Sequence, residues 1–123
     1  ISDIGVMVQL VKDNLMEKNC CFCSFSLPDL IEVRNHSQTV KIALLKDATY
    51  PTQDEISFLE SDGNAALMPV YDSVTTNNPT LVNDMYQRGI DVICYNVWSF
   101  DIAQQLTNKG VTKLITDYYY GGL

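Results

Sequence analysis

Apolar residues recur at three- and four-residue spacing at Ile4, Met7, Val8, Val11 and Leu15. That is the one-sided stripe of an amphipathic helix over roughly residues 3–17. Lys18-Asn19 ends it, and Cys20 to Phe25 is an apolar run of strand length. Ser26 then offers an N-cap oxygen, with Pro28 and Asp29 in the first turn of a second helix. Leu27, Leu30, Ile31 and Val33 give that helix its apolar surface, and Asn35-His36-Ser37 reads as a loop. Val40 to Leu45 is a buried strand. Pro51, Asp54 and Glu55 open a short helix around Ile56, Phe58 and Leu59, and Asp62-Gly63-Asn64 closes it with turn chemistry. Ala65 to Val70 is a weak, short strand, and residues 72–78 form a polar loop.

In the second half, Asn78 acts as N-cap and Pro79 as first residue of a helix. Its buried stripe is Leu81, Val82, Met85 and Tyr86, and Gly89 stops it in the left-handed conformation. Asp91 to Val97 is the strongest strand of the chain. Ser99 caps a helix that buries Ile102, Ala103 and Leu106 and stops at Gly110. Lys113 to Thr116 is the last strand, and residues 118–123 are a tail expected to fray. Gly89-Ile90-Asp91-Val92-Ile93 and Gly110-Val111-Thr112-Lys113-Leu114 echo one another as the junction of two successive βα units. About five strands alternate with helices, which predicts an α/β fold with a mainly parallel sheet. Two architectures fit: part of a (β/α)8 barrel, or an open flavodoxin-like three-layer sheet.

Length and charge narrow the function classes. The chain has 123 residues, enough for a single domain. With 46% apolar and 19% charged residues it has globular composition. No apolar run nears the roughly 20 residues of a membrane span. Eight basic against 15 acidic residues give a net charge of −7, which disfavours nucleic acid and anionic membrane surfaces as partners. The first residue is Ile1 rather than Met, so the chain is expected to be a processed product or an excised piece of a longer protein, and its compartment stays open.

The reactive residue types are sparse. Cys20, Cys21 and Cys23 crowd one strand, Cys94 lies on another, and no spacing completes a zinc site. Cys21 and Cys23 share a strand face opposite Cys20. They are expected as buried, reduced thiols that act as small hydrophobes. The one histidine, His36, has no partner base, acid or metal ligand nearby in sequence and reads as an exposed loop residue. Glu55 with Glu60 and Asp54 with Asp62 read as a solvated helix face. No phosphate loop, nucleophile elbow or zinc-protease motif occurs. No catalytic residue and no metal ligand is therefore assigned.

In parallel βα folds the site forms just past the strand C-termini. Here those positions are Ser24-Phe25-Ser26, Lys46-Asp47, Tyr71-Asp72, Tyr95-Asn96-Val97-Trp98 and Thr116-Asp117. Aromatic and small polar side chains dominate, which suits the wall of a pocket more than a reactive centre.

The same segments carry a resemblance. Cys23-Ser24-Phe25-Ser26 followed by Leu30 resembles the "SF(D)…L" strand-to-helix segment of the glycerophosphodiester phosphodiesterase family. Val40 to Leu45, ending in Leu44-Leu45, is similar to that family's next strand. Gly89 to Trp98 resembles "G-x-x-V-x-x-W-T-V-N", and Gly110 to Tyr118 resembles "G-V-D-G-I-I-T-D-x-P". Order and spacing agree from the first helix to about Tyr119. Tyr95 stands where the family has Trp, Asn96 where it has Thr, Trp98 where it has Asn, and Tyr119 where it has Pro.

The resemblance implies a (β/α)8 barrel of which this chain is the later part, the fourth through the eighth strand. It implies a parent that hydrolyses glycerophosphodiesters, or a related phosphodiester, with a divalent cation such as Ca2+ or Mg2+. The family's "H-R-G" loop, "E-x-D" ligands and remaining catalytic groups belong to the front of the barrel and match nothing in this chain. The isolated chain is therefore expected to be inactive and to hold no such ion. Phe25, Tyr95 and Trp98 would contact the substrate alcohol or shape its pocket, with Asn96 and Asp117 orienting groups at the strand ends. Unpaired sheet edges would seek the missing front segment or a second copy of the chain. The alternative is a non-catalytic barrel module that binds a ligand or a partner protein.

Overall fold

The computed structural model describes residues 2–116 of the chain. Helix α1 spans Asp3–Asp13, β1 Cys21–Ser24, α2 Leu27–His36, β2 Lys41–Lys46, α3 Gln53–Asp62 and β3 Ala65–Pro69. They are followed by α4 at Leu81–Gln87, β4 at Asp91–Cys94, α5 at Phe100–Asn108 and β5 at Lys113–Leu114. The five strands are all parallel and pair in the order β1-β2-β3-β4-β5.

That order settles the architecture. Each strand adds to the edge its predecessor left, and no reversal interrupts the series. A flavodoxin-like sheet requires such a reversal and helices on both faces. Here all five helices contribute to one core. Val8, Leu30, Leu59, Leu81, Met85 and Leu106 from the helices meet Ile42, Leu44, Leu67 and Val92 from the strands. The opposite face carries a smaller cluster of Ala43, Ala66, Met68 and Ile93, with Leu45 and Tyr95 packed against it. Helices on one face and a second apolar cluster on the other are the two walls of a βα-barrel arc.

Local signals account for most of the element ends. Ser2, Ser26, Thr52 and Ser99 each accept a backbone N–H in the first turn of their helices, and Thr52 with Glu55 forms a reciprocal capping box. Gly89 and Gly110 adopt φ of 72° and 98°, a region costly for any side chain, as the chain reverses from helix into strand.

Ion pairs on the helix side tie neighbouring units together. Arg34 reaches from α2 to Asp62 of α3 through two hydrogen bonds of 2.7 and 2.8 Å and also donates to the carbonyls of Ser37 and Val40. The Glu17 carboxylate accepts from Ser37 Oγ at 2.5 Å and Thr39 Oγ1 at 2.6 Å, which pins the turn before β1 to the entry of β2. Those two donors hold the Glu17 carboxyl below its usual range. Three of the acidic residues expected on a free solvated face are thus engaged. Asp62 meets Arg34, Glu55 meets Lys46 at 3.1 Å, and Glu60 meets Arg88 at 2.9 Å.

Several expectations need correction. The first helix ends at Asp13, not near residue 17. The Asn14 side chain caps the Leu10 carbonyl, Leu15 turns to φ 56°, and Leu15 is 90% exposed. Met7, Ile31 and Tyr86 are exposed on their helices. Asn78 is not a helix cap; its amide bridges Ser73 Oγ and the Ala48 carbonyl, and α4 starts after Thr80. The polar loop before it contains a π-helical turn, Ser73–Asn77. His36 closes α2, half-buried, and its carbonyl accepts from Lys12. The strand expected to be weak, β3, is buried at all five positions because it sits in the middle of the sheet. Cys21 and Cys23 are exposed, since β1 is an end strand of the described sheet, while Cys94 is buried as expected. The tail at 118–123 lies outside the described residues.

Candidate functional site

Parallel strands deliver all their C-terminal ends to one rim, and the connections leaving β3, β4 and β5 open a cleft there. Its volume is about 500 Å3, and its walls are Val70, Tyr71 and Asp72, then Tyr95, Asn96, Val97 and Trp98, then Ile115 and Thr116. Three of the expected site residues, Tyr95, Asn96 and Trp98, are therefore brought together. Phe25 is not: it stands 65% exposed after β1 and is neither cleft wall nor core. Asp117 lies outside the described residues.

Backbone pairing carries the sheet past its regular strands into the cleft. Tyr95 N–H donates to the Pro69 carbonyl at 3.2 Å, and Tyr71 N–H donates to the Tyr95 carbonyl at 3.3 Å. Val97 N–H donates to Ile115 O at 3.3 Å, and Val97 is buried. Asn96, between these anchors, adopts φ 63°. Asn tolerates the left-handed region better than most residues, so it turns the chain while the backbone on either side stays paired.

The aromatic side chains are held in different ways. Tyr95 lies over the small inner cluster, and its hydroxyl donates to the Lys46 carbonyl at 2.8 Å, spanning from β4 to the end of β2. Burial, with the Asp47 carboxylate adding to it, raises the Tyr95 phenol above its ordinary value, so it is a neutral donor at physiological pH. Asp47 itself is held low by hydrogen bonds from the Thr49 hydroxyl and N–H. Trp98 is 59% exposed, and its indole Nε1 donates to Tyr71 Oη at 3.2 Å. Tyr71 was legible as a strand-end residue, but nothing local in the sequence distinguished it from Lys46 or Ser24 as a wall of the cleft. The pairing of β3 with β4 puts it there.

The cleft offers two phenols, an amide, an indole, a threonine and the Asp72 carboxylate. These groups can stack on, hydrogen-bond and orient an alcohol. Among the described residues no three His, Cys, Asp or Glu side chains stand together as a metal site. A hard divalent cation needs several oxygen ligands, so these residues do not fit one. His36 lies at the far end of α2, on the side of the sheet from which β2 begins, away from the cleft.

Comparison with known proteins agrees with this architecture. The model of the glycerophosphoryl diester phosphodiesterase family matches residues 3–119. A glycerophosphodiester phosphodiesterase from Parabacteroides distasonis superposes with a TM-score of 0.77 at 20% identity, over 93% of this chain and 45% of that one. A protein of Silicibacter pomeroyi assigned as a glycerophosphoryl diester phosphodiesterase gives 0.77 at 21% identity, over 94% and 40%. One of Galdieria sulphuraria assigned as a glycerophosphodiester phosphodiesterase gives 0.79 at 17%, over 97% and 48%. The chain thus spans less than half the length of each of these structures. No curated protein matches it.

Proposed function

The chain belongs to the glycerophosphoryl diester phosphodiesterase family, and on that premise we propose that it is the back arc of a phosphodiesterase barrel, supplying the wall that receives the alcohol side of a glycerophosphodiester or related phosphodiester. The observation that carries the reading is the cleft at the strand C-termini, where Tyr95, Asn96 and Trp98 converge. Tyr95, fixed by the Lys46 carbonyl, sets the floor. Asn96 presents its amide from a turned backbone, and Trp98 with Tyr71 closes one side. Asp117, next in chain after the cleft residue Thr116, would add a carboxylate.

Hydrolysis itself is assigned to the front of the barrel, which would bring the imidazoles, the carboxylates and the divalent cation. The arc would be completed along its end strands by that front segment or by a second copy of the chain. Alone, the chain is inactive in this reading. The test is an assay of glycerophosphodiester hydrolysis in Ca2+ or Mg2+. No turnover by the chain, and turnover by a barrel completed with a front segment, supports the proposal. Turnover by the chain alone, or none after completion, overturns it.

One observation favours a second reading, a non-catalytic binding module. Trp98 occupies the strand mouth and is tied to Tyr71, where the family motif has Asn. Inactivity of the completed barrel, together with retained ligand binding, would select that reading.

A further inference from the structure

The connections that leave β2 and β3 are joined by one residue behind the cleft. Both strands lie inside the sheet order, each paired on two sides. Tyr71 and Asp72, walls of the cleft, open the connection after β3. Behind them the chain makes the π-helical turn Ser73–Asn77, a widened turn of a kind frequent at functional sites. Ser73 and Val74 of that turn are buried. The turn closes at Asn78, whose N–H donates to the Ser73 carbonyl at 2.8 Å.

The Asn78 side chain reaches further. Its amide nitrogen donates to Ser73 Oγ at 2.8 Å and to the Ala48 carbonyl at 3.0 Å, which uses both of its hydrogens. Ala48 stands two residues beyond the end of β2 at Lys46. Lys46 in turn gives its carbonyl to the Tyr95 hydroxyl at 2.8 Å. Two aromatic walls of the cleft therefore hang on the short segment 46–48: Tyr95 through Lys46, and Tyr71 through the turn, Asn78 and Ala48. Pro79 disfavours a helical conformation at the residue before it, and Asn78 has φ −134° and ψ 75°. The amide is thereby kept out of α4 and turned to the two connections.

We infer that Asn78 is a positioning residue for the substrate alcohol: its amide sets the Tyr71 wall at a fixed place relative to the Tyr95 floor. This rests on the reading of the cleft as the wall that receives the alcohol. Asn78 is not among the residues lining the cleft, so it acts on the alcohol through Tyr71 and Asp72. Groups that bind a substrate work only when a supporting shell holds them in place. Trp98 donates to Tyr71 Oη, so a shift of the Tyr71 wall also changes the surroundings of the indole.

The test uses the 123-residue chain and two readouts: acrylamide quenching of Trp98, and the Kd for glycerophosphocholine from the Trp98 emission. Asn78→Asp keeps the side chain's size and an acceptor for the Ser73 hydroxyl, but sets a carboxylate oxygen against the Ala48 carbonyl. Asn78→Ala removes both arms. Each should raise the quenching and weaken binding by about 10-fold or more, as displacement of a positioned group does. Ser73→Ala removes one arm with the least change in bulk, and should move both readouts the same way by less. Asp62→Ala releases Arg34 on the helix side and controls for lost stability. It should lower the urea midpoint more than the Asn78 variants do, yet leave both readouts at their wild-type values. Wild-type quenching in the Asn78 and Ser73 variants, or an equal loss of affinity in Asp62→Ala, would overturn the inference. No saturable change with the wild-type chain would instead sink the cleft reading, and the quenching series would still decide whether Asn78 sets the Tyr71 wall.

Discussion

The indole of Trp98 donates to the hydroxyl of Tyr71 across 3.2 Å, joining the segment after β4 to the segment after β3 at the mouth of the cleft. Trp98 is the one tryptophan in the chain, so tryptophan emission reports on the surroundings of this side chain alone. Tyr71→Phe removes the acceptor and leaves the ring. We expect a shift in Trp98 emission with a loss of stability near 1 kcal/mol or less, as for an exposed neutral hydrogen bond. Steady-state fluorescence and urea melts measure both, and an unchanged spectrum would mean that the contact does not persist in solution.

Arg34 and Asp62 are mostly shielded and doubly hydrogen-bonded, and they link α2 to α3. Removing one member of such a pair strands the other charge, at about 3–5 kcal/mol. Asp62→Ala should therefore lower the urea midpoint sharply. Glu60→Gln, which breaks the open pair with Arg88, should cost no more than about 1 kcal/mol. Equal effects from the two substitutions would contradict the assignment of Arg34 as a structural clamp.

Tyr95 donates to the Lys46 carbonyl, and its phenol is raised by burial and by Asp47. A raised value means that the folded state disfavours the phenolate. The stability this group contributes is complete below the ordinary tyrosine value of about 10 and fades as pH climbs through the folded value. Tyr50, raised by burial and by its hydrogen bond to Asp84, behaves in the same sense. Tyr95→Phe should cost about 1 kcal/mol at neutral pH and flatten the alkaline limb of the stability profile. Denaturant melts across alkaline pH, run on both proteins, decide it.

The four cysteines should differ widely in reactivity. Burial pushes the Cys94 thiol up to about 12, whereas Cys21 is exposed and sits near 7. Alkylation at neutral pH, followed by peptide mass spectrometry, should label Cys21 first and Cys94 only after unfolding. Early labelling of Cys94 would place it outside the core.

Much of the fold was legible because it rests on local chemistry. Ser26 and Ser99 announce helix starts, Gly89 and Gly110 announce the turn into a strand, and the alternation between them predicts parallel βα units. Which faces are covered is a different matter. Tyr86 and Leu15 have apolar side chains at helical spacing, yet among the described residues both stand exposed. Cys21 and Cys23 look like core thiols until β1 proves to be an end strand. The cleft was legible as a set of strand ends, and Tyr95, Asn96 and Trp98 follow from it. Phe25 does not, because its strand lies at the other end of the sheet order, separated by β2 from the strands that open the cleft. Tyr71 became a wall only through the β3–β4 register, which no local pattern encodes.

The most direct measurement is a titration of the chain with a glycerophosphodiester, read through Trp98 fluorescence. The cleft predicts a saturable blue shift as the half-exposed indole is covered, weakened in Asn96→Ala and in Tyr95→Phe while both variants keep the wild-type circular dichroism. Emission that stays constant up to the solubility limit, or a shift indifferent to both substitutions, would show that the strand-end cleft is not where the substrate alcohol binds.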